Sequence, residues 1–213
     1  MKELRYTLLC DGVSDQALLP VLRWLLIQHL PEYAFAGRWF DPRLVPDRQR
    51  PRGLAERMRF CMNDFPCELM FVHRDAEREP REIRIAEIHR ARAEVRELEN
   101  FPVICVVPVR MQEAWLLFDE VAIRQAAGNP NGRMTLQLPR LRTVESLPDP
   151  KENLYALLRE AKSLNRRRQR GEHISHDAQR VAEFIEDFSP LRVLPAFQAL
   201  ETEIVDIINS QGW

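Results

Sequence analysis

Short apolar runs, each cut off by charge, set the rhythm of the first 128 residues. Residues 4–10 (Leu-Arg-Tyr-Thr-Leu-Leu-Cys), 69–72 (Leu-Met-Phe-Val) and 102–109 (Pro-Val-Ile-Cys-Val-Val-Pro-Val) are too short for typical helices and read as buried strands. A weaker run at 34–40 predicts a further short strand. Between these runs the apolar positions take helical spacing. Leu18, Leu22, Leu25 and Leu26 give one face to a helix over 15–29. Ser14 is its expected cap, and Pro20 marks a kink or its effective start. Further helices are predicted over 54–63 and 82–99, the second with Ile83, Ile85, Ile88 and Val95 as a narrow buried stripe. Residues 43–53, rich in Pro, Gly and Arg, read as a loop.

Glu113 opens another helix, expected to stop at Gly128, and residues 129–148 have no clear period. The texture then changes. Asp149 caps a helix with Pro150 at its first position and Glu152 completing a capping box. Helices are predicted over 151–163, 175–187 and 191–209, with Ser189-Pro190 as another cap and proline. Alternating strands and helices followed by helices alone predict an α/β fold: a doubly wound parallel sheet over 1–148, with a helical C-terminal extension over 149–213 packed on the same domain.

Composition narrows the function classes. The formal net charge is −1, so no global polycation announces nucleic acid. Three of the 31 basic residues are Lys and the rest Arg, which suits phosphate where bidentate contacts are needed. Most of these side chains are expected on solvated helix faces. The four cysteines show no CxxC spacing, which together with the lack of a visible signal peptide predicts a reducing, cytoplasmic setting. No apolar run is long enough for a membrane span. GxGxxG, GxxxxGK[ST] and GxSxG are all absent, so dinucleotide-binding, P-loop and serine-hydrolase readings are set aside.

The candidate chemistry sits where apolar runs end in acid. Asp11 follows the first run, Asp75 and Glu77 follow the 69–72 run, and Glu113 follows the 102–109 run. In open parallel sheets, ligands lie beyond the carboxyl ends of the strands. If extended backbone persists to Glu77, Asp75 and Glu77 point the same way. Carboxylates crowded at one edge call for a neutralising cation, and their hard oxygens suit Mg²⁺ or Mn²⁺. Each acid also has a plain role, as a turn residue or helix-start acid. His73 is expected to be half-buried and structural. His173 and His176 form a HxxH, too little for zinc without further ligands. Arg74 and Arg78 near the acids, and Arg166, Arg167 and Arg168 in a late basic run, are candidate phosphate contacts.

Three motifs carry a resemblance. Leu8-Leu9-Cys10-Asp11-Gly12-Val13-Ser14-Asp15 leads into Leu18-Leu19-Pro20-Val21-Leu22; Phe71-Val72-His73-Arg74-Asp75-Ala76-Glu77 comes next; Glu113-Ala114-Trp115-Leu116-Leu117 follows. In this order they resemble small stand-alone TOPRIM-like bacterial proteins of a domain-of-unknown-function family, related to the nuclease domain of the OLD family. The resemblance implies a TOPRIM-like sheet and Mg²⁺- or Mn²⁺-dependent cleavage of DNA or RNA phosphodiesters. It implies Asp11, Asp75 and Glu77 as metal ligands, with Glu113 joining them in catalysis. It also implies a partner ATPase of SMC or ABC type encoded nearby and a role in phage or plasmid defence; a homo-oligomer stays open, since the sequence does not set the oligomeric state. Asp11 stands where the family usually has Glu, and Glu77 where it has Asp. These departures keep open a second reading, a non-catalytic module that binds the ATPase.

Overall fold

The computed structural model describes residues 2–162 and 174–213. Four parallel strands form one sheet: β1 (Lys2–Leu9), β2 (Tyr33–Phe40), β3 (Leu69–His73) and β4 (Val103–Val106), in the order β2-β1-β3-β4. Tyr6 lies opposite Leu69 and Met70 opposite Val103, so the three apolar runs are neighbours in parallel register. β4 is shorter than its apolar run because Pro102 and Pro108 flank it and cannot donate to the ladder.

Side-chain alternation divides the interior into two cores. Leu4, Tyr6, Leu8, Leu69, Phe71, Ile104 and Val106 pack on one face with α1 (Leu18–His29) and with α4 (Glu120–Ala126), α5 (Pro150–Ala161), α6 (Ile174–Phe184) and α7 (Pro195–Gln211). Leu9, Met70, Val72, Val103 and Cys105 pack on the other with α2 (Leu54–Asp64) and α3 (Arg81–Ala93). The fold is therefore α/β with helices on both faces of a parallel sheet. Among the described residues, no helix is long and apolar enough to cross a membrane.

Several helix boundaries differ from expectation. α1 begins at Leu18 rather than at residue 15, because a 3-10 turn over Val13–Ala17 precedes it and Pro20 fits only its first turn. Ser14 therefore does not cap it. The helix expected over 82–99 ends at Ala93, and a separate 3-10 turn spans Arg96–Leu98. Ile83 lies outside its buried stripe, at 48% exposure. Glu113 sits in a 3-10 turn, Gln112–Leu116, and α4 begins later, capped by Asp119. Asp149 caps α5 as expected, accepting the Glu152 N–H at 2.9 Å, while the Glu152 carboxylate lies against Arg159. Ser189-Pro190 opens a short 3-10 turn, and α7 starts only at Pro195.

Candidate functional site

The strand order reverses between β1 and β3. From β1 the chain crosses one face to β2, then crosses the other face to β3 on the far side of β1. Loops leaving the carboxyl ends of β1 and β3 start at this switch point, where sheets of this kind usually have their ligand crevice. β1 delivers Asp11 to it and β3 delivers His73, Arg74 and Asp75. The turn after β4 adds Gln112 and Glu113.

Asp15 shapes the β1 loop. Its Oδ2 accepts the N–H groups of Asp11 and Gly12, both at 2.8 Å. Its Oδ1 accepts from the Gln112 side-chain amide at 3.2 Å. His73 is 1% exposed and lies between two acids. Its Nδ1 is 3.0 Å from Asp15 Oδ2 and its Nε2 is 3.2 Å from Asp75 Oδ1. Burial opposes charge on the imidazole, but its contacts with Asp15 and Asp75 and their charges outweigh it and push the pKa up to about 10. The ring is an imidazolium at neutral pH, with Nε2 hydrogen-bonded to Asp75 and Nδ1 ion-paired with Asp15 without hydrogen-bond geometry. Burial likewise works against Asp15, yet His73 and the two N–H groups hold its pKa below the usual carboxylate value. The Gln112 backbone N–H donates to Asp75 Oδ1 at 3.1 Å, so that oxygen is held from two sides.

Asp11 is neutralised by arginines. Arg57 Nη1 lies 3.2 Å from its Oδ1 and Arg74 Nε lies 2.7 Å from its Oδ2. Burial nevertheless raises its pKa. Arg74 also reaches Glu87 at 3.1 Å, and Arg84 joins Glu87 to Glu77. Glu113 is buried, and its cationic partner is Lys151, at 3.7 Å. Burial raises its pKa first, and the charges of Asp75 and Asp15 add to this against Lys151.

Asp11, Asp75 and Glu113 thus gather at the crevice, but Glu77 departs from the expected geometry. Its φ is +56°, so the extended backbone ends before it and the alternation that would align it with Asp75 no longer applies. Its carboxylate is exposed and faces Arg84 at 3.5 Å. Its N–H donates to the carbonyl of Arg110, which is itself left-handed at φ +65°. Two non-glycine residues in this region, bonded to each other beside a crevice, mark local backbone strain.

Arg74 lies inside the network and Arg78 is exposed. Arg166, Arg167, Arg168 and His173 lie outside the described residues. His73 is wholly buried rather than half-buried. Sequence reasoning missed Asp15, Gln112, Arg57 and Lys151. A signal existed for one further pairing: His73 and Asp75 are two apart at a strand end, which puts them on one side.

No protein-family model, curated protein or solved structure matches the chain.

Among the described residues, no group of three or more His, Cys, Asp or Glu side chains is disposed to hold a metal ion. Asp11 and Glu77 already face arginines. Asp75, which meets the His73 ring, and Glu113, which meets Lys151, are hard oxygen donors of like charge, close enough for Asp75 to raise the proton affinity of Glu113.

Proposed function

We propose that the crevice is the active site of a TOPRIM-like phosphodiester-cleaving enzyme acting on DNA or RNA with Mg²⁺ or Mn²⁺. One observation carries this reading. The buried polar or charged side chains among the described residues are Thr7, Asp15, Asp41, His73, Gln112, Glu113 and Arg124, and four of them meet here. Burying such groups is unfavourable, and a fold needing only a core would not concentrate them at the end of its sheet.

Asp75 and Glu113 are the pair whose chemistry fits a hard divalent cation, which would polarise a phosphoryl oxygen and lower the pKa of a bound water. The protein's own residues do the positioning. Asp15 orients His73, and His73 with the Gln112 N–H fixes Asp75. Without a cation, burial and the charge of Asp75 raise the proton affinity of Glu113, and a bound cation would favour its carboxylate form. Arg74 and Arg78 can face phosphate charge. A separately encoded ATPase of SMC or ABC type, acting in phage or plasmid defence, remains part of the proposal.

The pairing of Asp11 with two arginines favours a second reading, a non-catalytic TOPRIM-like module that binds such an ATPase. Asp75→Asn and Glu113→Gln separate the two. For the enzyme, Mn²⁺ raises the wild-type melting temperature, both variants lose that rise, and both lose cleavage of supercoiled DNA and of RNA. A wild type whose melting is indifferent to Mn²⁺ and Mg²⁺, and which cleaves neither substrate with the ATPase present, is the module.

A further inference from the structure

Three arginines from three separate elements converge on the Asp11-Gly12 dipeptide. Arg57 comes from α2, Arg74 from the end of β3, and Arg43 from the 3-10 turn Pro42–Leu44 after β2. Arg57 and Arg74 each take one Asp11 oxygen. Arg43 lies against Gly12, where a Cβ would stand 2.5 Å from its Nη2, so glycine is what admits the guanidinium. Asp41, whose side chain is fully buried, fixes Arg43 from behind through Nε and Nη2. That leaves Arg43 Nη1 unengaged among the described residues, on a side chain 57% exposed. Arg57 Nε is buried without a hydrogen-bond partner among the described residues.

We propose that Arg43, Arg57 and Arg74 form a cradle for a backbone phosphate of nucleic acid, and that Asp11 is the internal anion that fills it when no substrate is bound. The inference rests on the proposed nuclease reading and adds two residues and a role to it. Guanidinium forks match phosphate oxygens bidentately. A fixed Arg43, an unsatisfied Arg57 Nε and a carboxylate bridging two guanidiniums are what such a site looks like when occupied by a stand-in. The same account explains the Asp11 side chain: it satisfies the arginines while remaining 35% exposed, open to exchange. Phosphate entering the cradle displaces Asp11 from Arg57 and Arg74 and frees its carboxylate beside Asp75.

The test is binding of a fluorescent oligothymidylate in EDTA, so that it does not depend on metal or cleavage. Asp11→Asn removes the stand-in charge and should tighten binding about tenfold, the scale of one charge-assisted hydrogen bond. Arg57→Gln and Arg43→Gln should weaken it by a similar factor, each lowering the salt dependence by about 0.7, as for one lost phosphate contact on a single strand. Inorganic phosphate should compete in the wild type and less well in Arg57→Gln. If Asp11→Asn folds too poorly to assay, Arg57→Gln, whose partner Asp11 is 35% exposed and keeps Arg74, carries the test alone. Equal or weaker binding by a folded Asp11→Asn overturns the proposal, as does wild-type affinity in Arg57→Gln or Arg43→Gln. Binding of inorganic phosphate without the oligonucleotide overturns the nucleic-acid assignment. Failure of the nuclease reading is seen separately, in the Mn²⁺ response of Asp75→Asn.

Discussion

His73 is the residue on which the site depends most. A neutral imidazole could face only one of its two acids with an N–H, whereas an imidazolium faces both. Removing it leaves Asp15 buried without its cation. His73→Gln should therefore cost about 3–5 kcal/mol, the range for breaking a buried pair from one side. The pH dependence follows from the direction of the shift. The His73 pKa is about 10 in the folded chain, against about 6.5 unfolded. Its contribution is complete below the unfolded value and is lost as pH rises through the folded one. Melting temperature should fall between about pH 6.5 and 10, and His73→Gln should flatten that fall. A wild-type profile level across this window would remove the imidazolium from the account. Asp15 works at the other end: its lowered pKa gives stability that is present above the unfolded value and lost in acid.

At the scale of elements, β3 could be read from the chain because residues 69–72 form a continuous apolar run buried on both faces, and β1 because its second half, residues 6–9, is buried on both faces while Lys2, Glu3 and Arg5 stay exposed. What the pattern could not show is where helical spacing yields to 3-10 turns. Gln112–Leu116 has the composition of a helix start, yet the chain tightens there and begins α4 only where Asp119 can cap it. Of the site, the acids after three strands were legible, since position alone brings Asp11, Asp75 and Glu113 together. Glu77 was not, because its side-chain direction depends on a left-handed backbone that no apolar pattern encodes. Partners from distant elements, such as Arg57 and Lys151, were illegible for the same kind of reason: each needs a helix phase as well as a helix. The edge of the sheet adds a contact of this sort. The β4 edge would present unpaired groups, but Glu203 of α7 accepts the Cys105 N–H at 3.1 Å. Burial raises the Glu203 pKa, against the pull of that N–H. Glu203→Ala should cost about 1–3 kcal/mol by leaving the buried donor unmatched. Urea denaturation should show a lower midpoint with an unchanged slope, and an unchanged midpoint would mean that another group takes the N–H.

Across the whole molecule, the helices after residue 149 belong to the same core as the sheet. Trp115, fully buried in the turn that carries Glu113, meets Phe197 of α7 edge-on at 5.4 Å. Leu154, Leu158, Val181, Leu200 and Ile204 join Phe71, Ile104 and Trp115 in one apolar cluster. The extension also reaches the site. Lys151, in the first turn of α5, faces Glu113, and Gln179 of α6 bonds Gln16 of the β1 loop at 3.0 Å. A chain cut after residue 148 would strip α7 from β4, remove α5 and α6 from α4 and from the turn carrying Glu113, and deprive Glu113 of its cation. Burial of such side chains is worth roughly 1.5–3 kcal/mol each, against a typical domain stability of about 5–15 kcal/mol. The truncated chain should therefore fail to melt cooperatively, and calorimetry of the full chain should give one transition rather than two. Lys151→Ala isolates the electrostatic part: the fold persists, while the Glu113 pKa moves further above its ordinary value, because Lys151 is the cation that lowers it. Carboxyl titration followed by isotope-labelled NMR would read that shift directly. A Glu113 unmoved by the loss of Lys151 would confine the extension to a packing role.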